Sequence, residues 1–170
     1  MDNSWHSLLF GIRKSVRYHE RRAAFFARLD TANGILSLLA GTGAAATAFS
    51  GHPAAATVAG ATVAVSNVCN VLVGSARMSA LHRELRGRFI DLERQMVGGD
   101  ESPENLRRFT EDRLRIEAEE PAVVGALDAV CYNEEARAEG NSEHTVTIGW
   151  WTRFFCQLVD YVPAVESQPT

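Results

Sequence analysis

From Thr31 to Ala76 the chain carries no Asp, Glu, Lys or Arg. With 22% of all residues charged, 46 residues should hold about ten charges. A surface bathed in water does not leave so long a run uncharged. The run divides at Gly51-His52-Pro53. Glycine ends a helix well, and proline suits the first turn of the next. A connection this short joins only antiparallel neighbours. The spacing therefore predicts a helical hairpin, Asn33–Ser50 followed by Ala54–Ala76. The second arm has 23 residues, about 35 Å of helix at 1.5 Å per residue. That spans a hydrocarbon core of about 30 Å with some tilt. The first arm, 18 residues, spans it by drawing Asp30–Ala32 to the interface.

Both arms are richer in Ala, Gly, Ser and Thr than in Leu and Ile. Within a bilayer small residues four apart let helix backbones approach closely. Gly41 with Ala45, and Ala56, Gly60 and Ala64, have that spacing and are the expected helix-packing positions. Thr62, Ser66, Asn67 and Asn70 are costly against lipid. They are expected to face another helix or a water-filled lumen, which makes them the candidate pore-lining residues.

The flanks give an orientation. Residues 1–30 hold six basic and three acidic side chains, and residues 77–96 hold five and three. The turn has only His52. Lys and Arg near the helix ends favour the cytoplasmic side. Both termini are thus expected in the cytoplasm of a bacterial cell, the hairpin crossing the inner membrane. No signal peptide is read at the N-terminus, Met1-Asp2-Asn3-Ser4-Trp5-His6.

Residues 1–30 read as an amphipathic helix. Trp5, Leu8, Leu9, Ile12 and Val16 recur at helical spacing, with Arg13, Lys14, Arg17, Arg21 and Arg22 between them. Such a face suits either a solvated bundle or lipid headgroups. Arg17, Arg21, Arg22 and Arg77 are taken as membrane-interface residues. Past the hairpin, residues 77–162 read as cytoplasmic helices. Leu81, Leu85, Phe89, Leu92 and Met96 extend the second arm. Ser102 is an N-cap with Pro103 at the first helical position. Pro121 opens a further helix that stops near Gly140. Residues 97–144 hold thirteen acids against five Arg, a charge that suits packing against the basic first helix. Thr145–Val162 gives an aromatic amphipathic helix, either interfacial, with Trp150 and Trp151 at the headgroup region, or docked on the cytoplasmic bundle. Residues 163–170 read as a disordered tail.

The fold class is all-α: a transmembrane helical hairpin, an amphipathic N-terminal helix and a cytoplasmic helical bundle. No catalytic, cofactor-binding or metal-ligand motif is present, and Cys69, Cys131 and Cys156 form no CxxC pair. The expectation is a non-enzyme without cofactor, with the lipid bilayer and copies of itself as partners. A net charge of −4 gives no reason to expect nucleic acid.

Ile12–Phe26 (IRKSVRYHERRAAFF), placed before an uncharged two-helix hairpin, resembles the start of the SLATT proteins, the SMODS- and SLOG-associating two-transmembrane effectors of bacteria. Arg115–Glu134 (RIEAEEPAVVGALDAVCYNE) resembles the part of that family after the hairpin. The hairpins of that family are generally richer in Leu and Ile. The resemblance implies an oligomeric, pore-forming effector of an anti-phage conflict system that permeabilises the inner membrane on activation. It also implies a second-messenger-sensing or signalling partner protein as the trigger. The alternative from the residues alone is a non-conducting helical anchoring or assembly protein, or a soluble Ala-rich bundle.

Overall fold

A computed structural model describes residues 3–158 and 160. Its described residues are helical with no strand. The order is α1 (Asn3–Phe49), α2 (Pro53–Val73), α3 (Ser75–Val97), α4 (Pro103–Glu117), α5 (Gly125–Ala138), a 3-10 turn (Ser142–His144) and α6 (Trp150–Phe155). The chain divides into two compact units, Ala23–Leu81 on its own, and the residues up to Arg22 with those from His82 onward.

In the second of these units the helices are amphipathic and bury their apolar stripes. Trp5, Leu8, Leu9 and Ile12 of α1 are buried, as are Leu85, Phe89, Leu92 and Met96 of α3. Both sets recur at three and four residues, the period of one helix face. Phe109 and Ile116 of α4 and Ala126, Leu127, Val130 and Cys131 of α5 add to the buried set. Trp5 meets Phe109 edge-on, with centroids 5.8 Å apart. Gly11 on α1 lies against the Arg113 guanidinium of α4, and an added Cβ there would make that flexible side-chain end move aside.

Charge complements shape. Arg13 donates to Glu93 at 2.7 Å, Lys14 to Asp128 at 2.8 Å and Arg17 to Glu135 at 2.5 Å, and Arg21 pairs with Glu134. The basic face of α1 is thus met by carboxylates of α3 and α5. Glu135 is only 2% exposed. A buried carboxylate is tolerable because a guanidinium meets it.

The helix ends follow local rules and sometimes depart from the sequence expectation. Ser102 accepts from the Asn105 N–H at 3.3 Å, with Pro103 at the first helical position. Pro121 does not open a helix; residues 120–124 run in non-helical backbone, and α5 starts at Gly125. The Tyr18 hydroxyl accepts the Val124 N–H at 3.0 Å, and this long-range bond holds the non-helical segment. Gly140 has φ +81° and follows the last turn of α5. No break separates the amphipathic stretch from the first uncharged arm, because α1 runs unbroken from Asn3 to Phe49. Conversely Gly74, at φ 63°, interrupts the second arm before Ser75. Its left-handed conformation closes α2 with an N–H bond to the Asn70 carbonyl. The aromatic segment is helical only over Trp150–Phe155. The rest of the expected Thr145–Val162 helix is not formed where it is described: residues 145–149 are non-helical and residues 156–158 form a turn. Residues 161–162 of that segment and the tail 163–170 lie outside the described residues.

Candidate functional site

The unit Ala23–Leu81 is built differently from the other. Along α1, Asn33, Ser37, Ala40, Ala44 and Thr47 are half-buried. Along α2, Ala56, Ala59, Val63, Ser66 and Asn70 are half-buried. Both series step by three and four residues, so each helix covers a single narrow stripe. Four side-chain bonds cross it. Ser66 donates to the Asn33 side-chain oxygen at 2.5 Å, and the Asn33 amide donates to Asn67 Oδ1 at 3.2 Å. Ser37 donates to that same Asn67 oxygen at 2.9 Å. Asn70 donates to Asp30 at 3.2 Å. One end of the hairpin is therefore held by a polar seam, whereas Ala, Val63 and Thr47 line the rest.

Three of the four candidate pore residues, Ser66, Asn67 and Asn70, bond to α1 in this way. Thr62 is exposed and donates to the Val58 carbonyl at 2.9 Å. Thr42, Thr47 and Thr57 likewise donate to carbonyls three or four residues back. These hydroxyls are satisfied by their own helix. Of the packing positions, Ala56 lies on the stripe, while Gly41, Ala45, Gly60 and Ala64 are exposed. An added Cβ at Gly41 or Gly60 meets nothing within 4 Å.

The remainder of the hairpin surface is apolar and uncovered. Leu38, Leu39, Val58, Val65, Val71 and Leu72 are each more than 60% exposed. Burying one such side chain is worth roughly 1.5–3 kcal/mol. Six of them left in water forgo an amount comparable to the whole stability of a domain, about 5–15 kcal/mol. Among the described residues one stretch, Pro53–Val97, is long and apolar enough to cross a membrane by length and composition, and none of its apolar window is buried within the chain.

The expected interface residues fall in several settings. Arg17 and Arg21 are engaged by Glu135 and Glu134. Arg22 donates to the Gln157 carbonyl at 3.0 Å, and burial pulls its pKa below the usual arginine value. Arg77 is exposed. Trp150 and Trp151 stack at 3.8 Å and are 67% and 59% exposed.

A buried polar cluster ties α1 to α3. His19 Nδ1 lies 2.9 Å from His82 Nδ1, and His19 Nε2 lies 3.0 Å from Glu120. The rings are 1% and 2% exposed. A carboxylate only accepts, so His19 carries its proton on Nε2. Its bare Nδ1 then accepts from the Nδ1–H of His82. His19 also stacks on Phe89 at 5.5 Å. Burial, reinforced by the adjacent His19 ring and by the Arg22 charge, pushes the His82 imidazole down to about 4, so it is neutral at cellular pH. Burial pushes the Cys131 thiol up to about 12, which leaves it without thiolate character. Among the described residues no group of three or more His, Cys, Asp or Glu is placed to hold a metal ion.

Sequence reading had found the candidate Asn and Ser residues on α2 but missed their partners Asp30, Asn33 and Ser37. The signal was available. In an antiparallel hairpin, residues equidistant from the turn face one another, and Ser37 and Asn67 are each fifteen residues from His52. The position of the histidine pair is also encoded locally: His19 is seven residues from Ile12, and His82 is seven from Phe89, so both lie on buried stripes.

No protein family's sequence profile, no curated protein and no solved structure matches the chain.

Proposed function

We propose that residues 31–76 insert into the bacterial inner membrane as a two-helix hairpin with both termini in the cytoplasm. Copies assemble through the hairpin, and the assembly permeabilises the membrane when activated. The single observation that carries this reading is the uncovered apolar surface of α2 and of the second half of α1. Lipid or further copies would cover it, and water would not. The satisfied hydroxyls and the internal polar seam agree with a hydrocarbon setting, where every polar group needs an internal partner. The resemblance of Ile12–Phe26 and Arg115–Glu134 to the SLATT effectors supplies the conflict-system context and the expectation of a second-messenger-sensing or signalling partner. In this reading the exposed small residues Gly41, Ala45, Gly60 and Ala64 are left for neighbouring copies.

The test is a membrane-potential dye in cells induced to express the chain. Expression should depolarise the cells. An added Cβ at Gly60 meets nothing within 4 Å in its own chain, so Gly60→Leu should still insert, yet it should block close packing of copies and restore the potential. Depolarisation undiminished in Gly60→Leu contradicts packing through this face.

A second reading is favoured by one observation. Ser66, Asn67 and Asn70 find their partners within the chain, so they need no water-filled lumen. A non-conducting helical anchor or assembly protein fits that arrangement. It predicts an unchanged potential at every expression level.

A further inference from the structure

A cavity of about 260 Å³ lies within the unit that contains α5 and α6. Asn133, Glu134, Arg137, Thr145, Thr147 and Arg153 are among its lining residues. Its wall is held in place from inside. Asn133 is 4% exposed, donates to the Val146 carbonyl at 2.7 Å and accepts the Val146 N–H at 2.7 Å. One buried amide thus fixes the non-helical segment after the 3-10 turn against α5, as a neighbouring strand would. Ile148, on that segment, packs against the cluster of Tyr18, Leu127, Val130 and Cys131.

The charges in the cavity do not cancel. Its one carboxylate, Glu134, is taken by Arg21. Arg137 and Arg153 have no carboxylate partner among the described residues. The other basic side chains of this unit, Arg83 excepted, are committed to a carboxylate, a carbonyl or a ring face. The Thr145 hydroxyl is spent on the Ser142 carbonyl at 3.0 Å, so two unspent guanidiniums beside the Thr147 hydroxyl are the donor set for phosphate oxygens, which guanidinium binds in a fork. Drug-sized sites run to about 300–1,000 Å³. This cavity is smaller, so it suits one phosphorylated unit and not a dinucleotide.

We propose that this cavity binds a phosphate-bearing anion of single-headgroup size, held between Arg137 and Arg153. The ligand chemistry is a phosphate monoester or diester. Its source is either a soluble phosphate ester or the headgroup of an anionic lipid. The exposed Trp150, Trp151 and Phe154 on the same short helix as Arg153 give the lipid headgroup its physical case, since tryptophan favours the membrane–water boundary. The lipid source rests on the membrane reading above; the soluble source does not.

The test uses the full chain in a neutral detergent and isothermal titration with glycerol 3-phosphate, dihexanoyl phosphatidylglycerol and dihexanoyl phosphatidylcholine. Binding of the first or second, weakened about tenfold or more by Arg137→Ala and by Arg153→Ala, is expected. Arg83→Ala removes the same charge from α3, outside the cavity, and should leave affinity unchanged. Both side chains are exposed, so the variants should retain wild-type helical circular dichroism. Binding of glycerol 3-phosphate identifies a soluble ligand, and binding of phosphatidylglycerol alone identifies the lipid. No binding of either, equal binding of phosphatidylcholine, or equal losses in all three variants would overturn the proposal. None of these outcomes bears on whether the hairpin conducts, which the potential dye reads separately.

Discussion

The buried histidine pair makes a prediction whose size follows from its environment. His82 sits at about 4 in the folded chain against an ordinary 6.5. The group is neutral when folded and takes a proton more readily when unfolded. Its contribution is therefore fully present above pH 6.5 and is lost as pH falls toward 4. At 1.36 kcal/mol per unit, the loss is about 2 kcal/mol by pH 5 and about 3 kcal/mol by pH 4. The clean readout is a difference between two proteins. His82→Gln keeps a side-chain donor for His19 but does not titrate. Denaturant unfolding in neutral detergent, followed by circular dichroism at pH 7.5, 6 and 5, should show the wild type losing about 2 kcal/mol more than the variant over that range. Equal pH slopes would refute the reasoning, as would a wild type more stable at pH 5 than at 7.5.

Asn67→Ala removes the oxygen shared by Asn33 and Ser37 and should cost about 1–2 kcal/mol, read by unfolding in detergent. Phe89→Ala empties a fully buried site at 0% exposure and should cost about 3–5 kcal/mol, read the same way. In detergent at pH 8, a small maleimide should label exposed Cys69 and spare Cys131, which is buried with its thiol pushed up to about 12, until the chain is denatured. Gly74→Ala forces a side chain into the left-handed region at φ 63° and should cost about 1 kcal/mol, seen as a lowered midpoint.

What the sequence made legible was what periodicity and charge encode. The stripe of Trp5, Leu8, Leu9 and Ile12, the stripe of Leu85, Phe89, Leu92 and Met96, and the Ser102 cap all appear where spacing placed them, because each depends on neighbours within a turn or two. The attraction between the basic first helix and the acidic later ones was also legible, although which partners meet was not. Pairs such as Arg17–Glu135 are fixed by the register of whole helices. The unbroken α1 was missed because Asp30 and Asn33 looked like an interface boundary, whereas both are compatible with a continuing helix. The extended segment before Gly125 was missed because its hold is the Tyr18 hydroxyl, 106 residues away. The cavity of Arg137 and Arg153 depends on the path of residues 141–149 after α5; Gly140 marked the helix stop, but no local pattern announced the course of the chain beyond it.

The central claim is that the hairpin lies in a bilayer. Its most direct test is carbonate extraction of membranes from cells expressing the full chain. The account predicts that the protein stays in the pellet and is released only by detergent. Release into the supernatant by carbonate alone would contradict it, since Leu38, Leu39, Val71 and Leu72 would then have to be covered by protein and not by lipid.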